Sequence, residues 1–167
     1  MPDFKDKNLI DCLAKGGVAI MPTDTIYGIV GLALNEKTVE RINKIKKRSL
    51  GKPFITLIGD WSETRKFGIE ASQYKIPENT EPTTYIIKGV SFRFPNVPEL
   101  RKLLLKTGPL VAPSANPEGL PPAENISQAK EYFGDSIDFY LDGGEISGKA
   151  SRIIKLNSDG SIDILRN

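Results

Sequence analysis

The sequence predicts one α/β domain whose twisted sheet mixes parallel and antiparallel strands and carries helices on its flanks. Three observations lead there. Short apolar runs such as "VAIMP", "PFITLIG" and "PLVA" are the length of strands, and they intermix with amphipathic segments of helical period without strict alternation. Several strand candidates are joined by tight-turn signals, which antiparallel neighbours use and a purely parallel sheet does not. No internal repeat and no linker interrupts the 167 residues, so residues 1–167 read as a single domain long enough to bury a core.

In chain order, Asn8 to Ala14 places Leu9, Ile10 and Leu13 at helical spacing, and Gly16-Gly17 stops that helix. A buried strand follows, Val18 to Met21. Asn35 is a good N-cap for "EKTVERINKIKKR", an amphipathic helix with Val39, Ile42 and Ile45 on one face and a basic end, Lys46-Lys47-Arg48. "PFITLIG", rich in branched residues, is the next buried strand, with a short helix near Trp61 to Phe67. Residues 68–82 lack a period and read as an irregular crossing loop. "TTYIIKGVSFRF" is a hairpin turning at Lys88-Gly89, and Pro98 opens a helix, "PELRKLLLK". "PLVAPSAN" is a strand that runs into the Pro/Gly-rich loop "PEGLPPAEN". A helix at Ile126 to Phe133, a strand "DFYLDGG" and a hairpin around Asp159-Gly160 complete the order.

Composition narrows the chemistry. A hydrophobic content of 39% and a charged content of 26% are those of a soluble globular protein, and the absence of a long apolar run or a targeting leader predicts a cytoplasmic protein without membrane contact. The lone Cys12 allows no internal disulfide, and the absence of His removes the commonest general base and metal ligand. No protein-built metal site is expected. A net charge of +2 does not by itself argue for nucleic-acid binding. Chemistry must therefore run on Thr, Ser, Asn, Asp, Lys, Arg and backbone groups.

Two apolar strands run straight into polar loops, "VAIMPTDT" and "PLVAPSAN", and ligands in open α/β sheets gather where such strand ends meet. Pro22 and Pro113 stiffen the two exits, presenting Thr23, Thr25, Ser114 and Asn116. The plainer alternative is that these side chains only cap turns. Lys46, Arg48 and Lys52 form a basic helix end and loop able to wrap phosphates, the alternative being a solvated helix terminus. Neither a GxxxxGK[ST] nor a GxGxxG pattern is present, so a bound nucleotide needs another device.

Pro22-Thr23-Asp24-Thr25-Ile26-Tyr27-Gly28, Lys46-Lys47-Arg48 and Pro113-Ser114-Ala115-Asn116 together resemble the YrdC/TsaC family of threonylcarbamoyl-AMP synthases, with its PT[ED]TxYG, KxR and SxN signatures in that order. "EPTTYIIK", "VSFRFP" and the terminal "SRIIKL" and "ILR" extend the likeness over nearly the whole chain. The resemblance implies a positively charged central cleft and condensation of L-threonine, bicarbonate or CO2, and ATP into threonylcarbamoyl-AMP and pyrophosphate. A downstream threonylcarbamoyl transferase would then modify tRNA. It implies that Lys46 and Arg48 clamp the phosphates and act catalytically, that Ser114, Asn116, Ser151 and Arg166 bind the nucleotide, and that Thr23, Thr25, Tyr27 and Arg93 bind the amino acid, Arg93 through its carboxylate and Tyr27 as a wall. Mg2+ is implied as the companion of ATP. A lid would come from Pro117 to Asn125 or the C-terminal tail. Strand alternation independently puts Ser91 and Arg93 on one face of "VSFRF", opposite Val90, Phe92 and Phe94. Two other readings stay open: a module contacting tRNA or double-stranded RNA through the same basic residues, and a paralogue on the same fold without synthase activity.

Overall fold

A computed structural model describes residues 2–48 and 51–167. Helix α1 (Lys7–Ala14) begins where the Asp6 carboxylate accepts the N–H groups of Asn8 and Leu9, and it buries Leu9 and Leu13. Strands β1 (Ala19–Pro22) and β2 (Tyr27–Leu32) form an antiparallel hairpin. Strand β2 was not among the expected elements, because "YGIVG" shows neither alternation nor strand propensity at its glycines. Gly31 is required there for packing: a Cβ would lie 3.1 Å from Cδ1 of Ile42. Helix α2 (Glu36–Lys46) is capped by Asn35, whose Oδ1 accepts the Thr38 N–H at 3.2 Å, and ends at Lys47 with φ 52°.

Strand β3 (Ile55–Leu57) leads to a 3-10 segment, Trp61–Phe67. The stretch expected to be irregular holds only one short 3-10 turn, Ala71–Gln73. Strands β4 (Thr83–Ile87) and β5 (Val90–Arg93) turn at Lys88-Gly89, both with positive φ, as a two-residue hairpin loop needs. Then come α3 (Pro98–Thr107), β6 (Leu110–Val111), α4 (Ile126–Phe133), β7 (Phe139–Tyr140), β8 (Arg152–Leu156) and β9 (Ile162–Arg166).

The described strands form one sheet in the order β7-β1-β2-β6-β3-β5-β4-β8-β9. Pairs β1/β7, β3/β5 and β4/β8 are parallel and the remaining five antiparallel, the mixed sheet expected from the hairpins. Strand β1 is buried on both faces, which explains its unbroken apolar run. Ala19 and Met21 join Leu9, Leu13, Leu100 and Leu104 beneath α1 and α3, whereas Val18 and Ile20 join Ile42, Ala129 and Phe133 beneath α2 and α4. Each fully buried leucine contributes roughly 1.5–3 kcal/mol. A third cluster, with Tyr85, Ile87, Phe92 and Ile154, lies against β4, β5 and β8.

Candidate functional site

The first polar exit is the β1–β2 turn. Thr23 ties residues 23–26 together: its N–H and its hydroxyl both donate to the Ile26 carbonyl, at 3.1 and 2.7 Å, and its Oγ1 accepts the Thr25 N–H at 3.3 Å. The turn-capping alternative therefore describes part of what Thr23 does. The second exit, residues 112–116, runs antiparallel beside β2, with the Ile29 N–H on the Pro113 carbonyl and a bridge between Gly28 and Ser114. The two loops that the sequence set apart are thus neighbours in space.

Between them lies a cavity of about 380 Å³, in the range of small-molecule sites. Thr23, Thr25, Arg48, Arg93, Ser114, Ser151 and Arg166 all line it, and its described lining holds three arginines and no carboxylate. Pro122, from the expected lid segment, also contributes to the wall.

Lys46 and Asn116 stand immediately behind this lining. The Lys46 ammonium donates to the Ser114 carbonyl and lies 3.5 Å from Ser114 Oγ and 3.4 Å from Asn116 Oδ1. Ser114 Oγ donates to Asn116 Oδ1 at 2.5 Å, while the Asn116 amide group donates to the Pro117 and Leu120 carbonyls. The sequence sets Lys46 at a charged helix end outside the apolar Val39-Ile42-Ile45 stripe, with a solvated terminus as the alternative. That is corrected: the buried row is Thr38, Ile42 and Lys46, spaced by four, and Lys46 is 5% exposed. Burial, aided by the nearby Arg48 cation, lowers the Lys46 pKa to about 8. Arg48 stays at the cavity wall, with Nη2 on the Pro53 carbonyl and its guanidinium 4.7 Å from the centroid of the Phe54 ring. Lys52 instead pairs with Glu118 at the surface; the loop that would join it to Arg48 falls partly outside the described residues.

Arg93 occupies the face that alternation assigned to it, but its fork is partly engaged. Its Nε lies 2.9 Å from Asp24 Oδ1, with both side chains 4% exposed, and Nη2 reaches Thr23 Oγ1 at 3.4 Å. Burial pushes the Asp24 carboxyl up and the Arg93 guanidinium down, against their mutual attraction. Asp24 received no role from the sequence; a lone carboxylate between two threonines was the one available signal, and its partner lies far along the chain. Beside Arg93, its cross-strand partner Thr84 has its Oγ1 2.7 Å from Ser151 Oγ, and Arg166 donates through Nε and Nη2 to the Ser151 carbonyl.

Tyr27 is also corrected. It is fully buried rather than a wall of the cavity, because as the first residue of β2 it points into the cluster containing Ile20 and Ile29. Its hydroxyl accepts the Gly143 N–H at 2.9 Å and donates to the Gly144 carbonyl at 2.7 Å. Residues 142–150 consequently cross the β1–β2 turn as a strap. Gly143 presses on the Pro22 ring and Gly148 on the Thr25 carbonyl so closely that neither position has room for a Cβ. The strap delivers Ala150 and Ser151 to the cavity wall.

With this geometry in hand, likeness to known proteins becomes informative. The Sua5/YciO/YrdC family model, described as "Telomere recombination", matches residues 11–167. Proteins named threonylcarbamoyl-AMP synthase are similar along most of their length: one from Coxiella burnetii is 30% identical, covering 80% of this chain and 82% of its own, and one from Pseudomonas fluorescens is 31% identical with the same coverage. The crystal structure of P. abyssi Sua5 complexed with L-threonine superposes with a TM-score of 0.76 at 25% identity, over 95% of this chain. This chain spans 52% of that protein. The matched span takes in all three motifs and every residue lining the cavity, and the chain belongs to the Sua5/YciO/YrdC family.

Proposed function

We propose that this chain is an L-threonylcarbamoyladenylate synthase, condensing L-threonine, bicarbonate or CO2, and ATP to threonylcarbamoyl-AMP and pyrophosphate. One observation carries the reading: residues of three separate motifs converge on a single cavity whose described lining offers arginines and hydroxyls without a carboxylate. Such a lining suits a polyphosphate. An adjoining cavity of about 400 Å³ shares Thr25 and Ala150 with the first, so nucleotide and amino acid have room side by side.

The chemistry needs no covalent intermediate with the protein. The neutral threonine amine bonds to the carbon of CO2 as one C=O π bond opens onto oxygen, the nitrogen gives a proton to water, and a carbamate oxygen then attacks the α-phosphorus while the bond to pyrophosphate breaks. Alignment and charge stabilisation can carry both steps. In this reading Arg48 forks onto the phosphates. Lys46 adds a cation through Ser114 and Asn116, whose hydroxyl and amide it orders. Ser151 and Arg166 hold the nucleotide. Thr23 and Thr25 face the amino acid, and the Arg93 N–H groups left over from Asp24 meet its carboxylate. Mg2+ enters with ATP on the phosphate oxygens; no group of three His, Cys, Asp or Glu among the described residues is placed to hold a metal. The product would pass to a separate transferase acting on tRNA.

The test is incubation with ATP, threonine and bicarbonate while following pyrophosphate and the adenylate. Pyrophosphate release should require threonine and bicarbonate jointly. Release that is unchanged without threonine overturns the reading, and RNA binding that falls steeply with salt and ignores threonine would favour an RNA-binding module instead.

A further inference from the structure

A cavity of about 680 Å³ lies on the other side of the β4–β5 hairpin. The hairpin divides the two sites by strand alternation. Arg93 lines the first cavity and its cross-strand partner Thr84 lies on the same face, whereas Tyr85 and its partner Phe92 face the opposite way. The walls of the second cavity are aromatic: the Trp61 ring stands edge-on to Tyr85 with centroids 5.4 Å apart, and 6.1 Å from Phe94. One side is fixed by the Tyr85 hydroxyl, which donates to the Pro77 carbonyl and accepts from the Asn79 amide, pinning residues 77–79 to the sheet. Glu78 and Glu81 stand at the exposed rim, without an ion-pair partner among the described residues, and no Lys or Arg contributes to the described lining.

Ring faces and two carboxylates without a counter-cation are complementary to a flat cation, because the aromatic quadrupole and the carboxylates attract the same charge. The cluster already accepts one such group from its own chain: the Arg101 guanidinium lies 4.8 Å from the Phe94 centroid, and Arg101 is not part of the lining. We propose that this cavity docks an arginine side chain presented by a partner protein. The rim carboxylates repel a phosphodiester backbone, which sets this surface apart from the arginine-lined cavity. Glu81 and Pro82 also line the cavity adjoining Thr25, so a partner held here stands next to the mouth of the candidate site. The inference does not depend on the synthase reading.

Trp61 is the sole tryptophan of the chain, so its emission reports on this cavity directly. Titration with N-acetyl-Gly-Arg-Gly-amide should give a saturable change in Trp61 fluorescence in the millimolar range. The peptide with citrulline in place of arginine, equal in shape and uncharged, should give none. In the Glu78→Gln/Glu81→Gln variant the arginine peptide should bind about tenfold more weakly. The proposal is overturned by absence of a saturable change, by equal binding of the citrulline or lysine peptide, by unchanged affinity in the variant, or by adenosine monophosphate acting where the arginine peptide does not.

Discussion

The two faces of the β4–β5 hairpin handle charge in opposite ways. Towards the candidate site, Arg93 and Asp24 are withdrawn from water and depend on each other, with Lys46 buried nearby. Towards the aromatic cavity, Glu78 and Glu81 remain at the rim, where water screens them. The two faces of one hairpin thus border two electrostatic regimes. Charge on the first face is coupled to folding, and charge on the second is available to an incoming group.

The contrast is sharpest in Arg93→Leu. That substitution leaves Asp24 buried without its cation and should cost about 3–5 kcal/mol in urea denaturation at neutral pH, whereas Arg93→Leu combined with Asp24→Leu should recover most of the loss. The single variant also has a pH signature. Its folded-state Asp24 pKa lies still further above the ordinary 3.8, so in the window above 3.8 the folded chain holds the extra proton and stability falls as pH rises. The deficit should therefore shrink on acidification towards pH 4. A single variant as stable as the parent at neutral pH would dissolve the distinction between the faces.

Lys46 provides the next largest effect, with the opposite sign. Its pKa of about 8 lies below the ordinary 10.5, so between those values the unfolded chain holds the extra proton and stability rises with pH. The slope from this one group is at most about 1.4 kcal/mol per pH unit. Urea midpoints from pH 7 to 10 should show this rise in the parent relative to Lys46→Met; parallel curves would mean that the ammonium is not held out of water. At the small end, the Glu78→Gln/Glu81→Gln variant should change stability by less than about 0.5 kcal/mol in the same assay. A larger loss would place those carboxylates in the fold rather than at a docking rim.

Much of this division is written in local pattern. Alternation in "VSFRF" put Arg93 and Phe92 on opposite faces, and the stop at Lys88-Gly89 set the hairpin register, because period and turn chemistry are properties of adjacent residues. The proximity of Thr23 to Ser114 followed from two strands ending in polar loops. What escaped was non-local. Lys46 reads as a helix-end cation until Ser114 and Asn116, from a distant loop, are seen to accept its hydrogen bonds; Asp24 has no visible purpose without Arg93; and Tyr27 belongs to a motif yet turns inward because Gly143 and Gly144 come to meet it. Strand β2 was missed because its glycines serve neighbours on other elements rather than the strand itself.

The strap held by Tyr27 also dictates an order of assembly. Tyr27 and Gly144 are 117 positions apart, and the Thr84–Ser151 hydroxyl pair spans 67. On the ribosome the β1–β2 and β4–β5 hairpins can close soon after they emerge, since each needs only near neighbours. The first cavity stays without Ser151 and Arg166 until both hairpins have been made, so the complete site cannot template their closure. Recognition in this molecule thus follows, in order of synthesis, the closure of both hairpins.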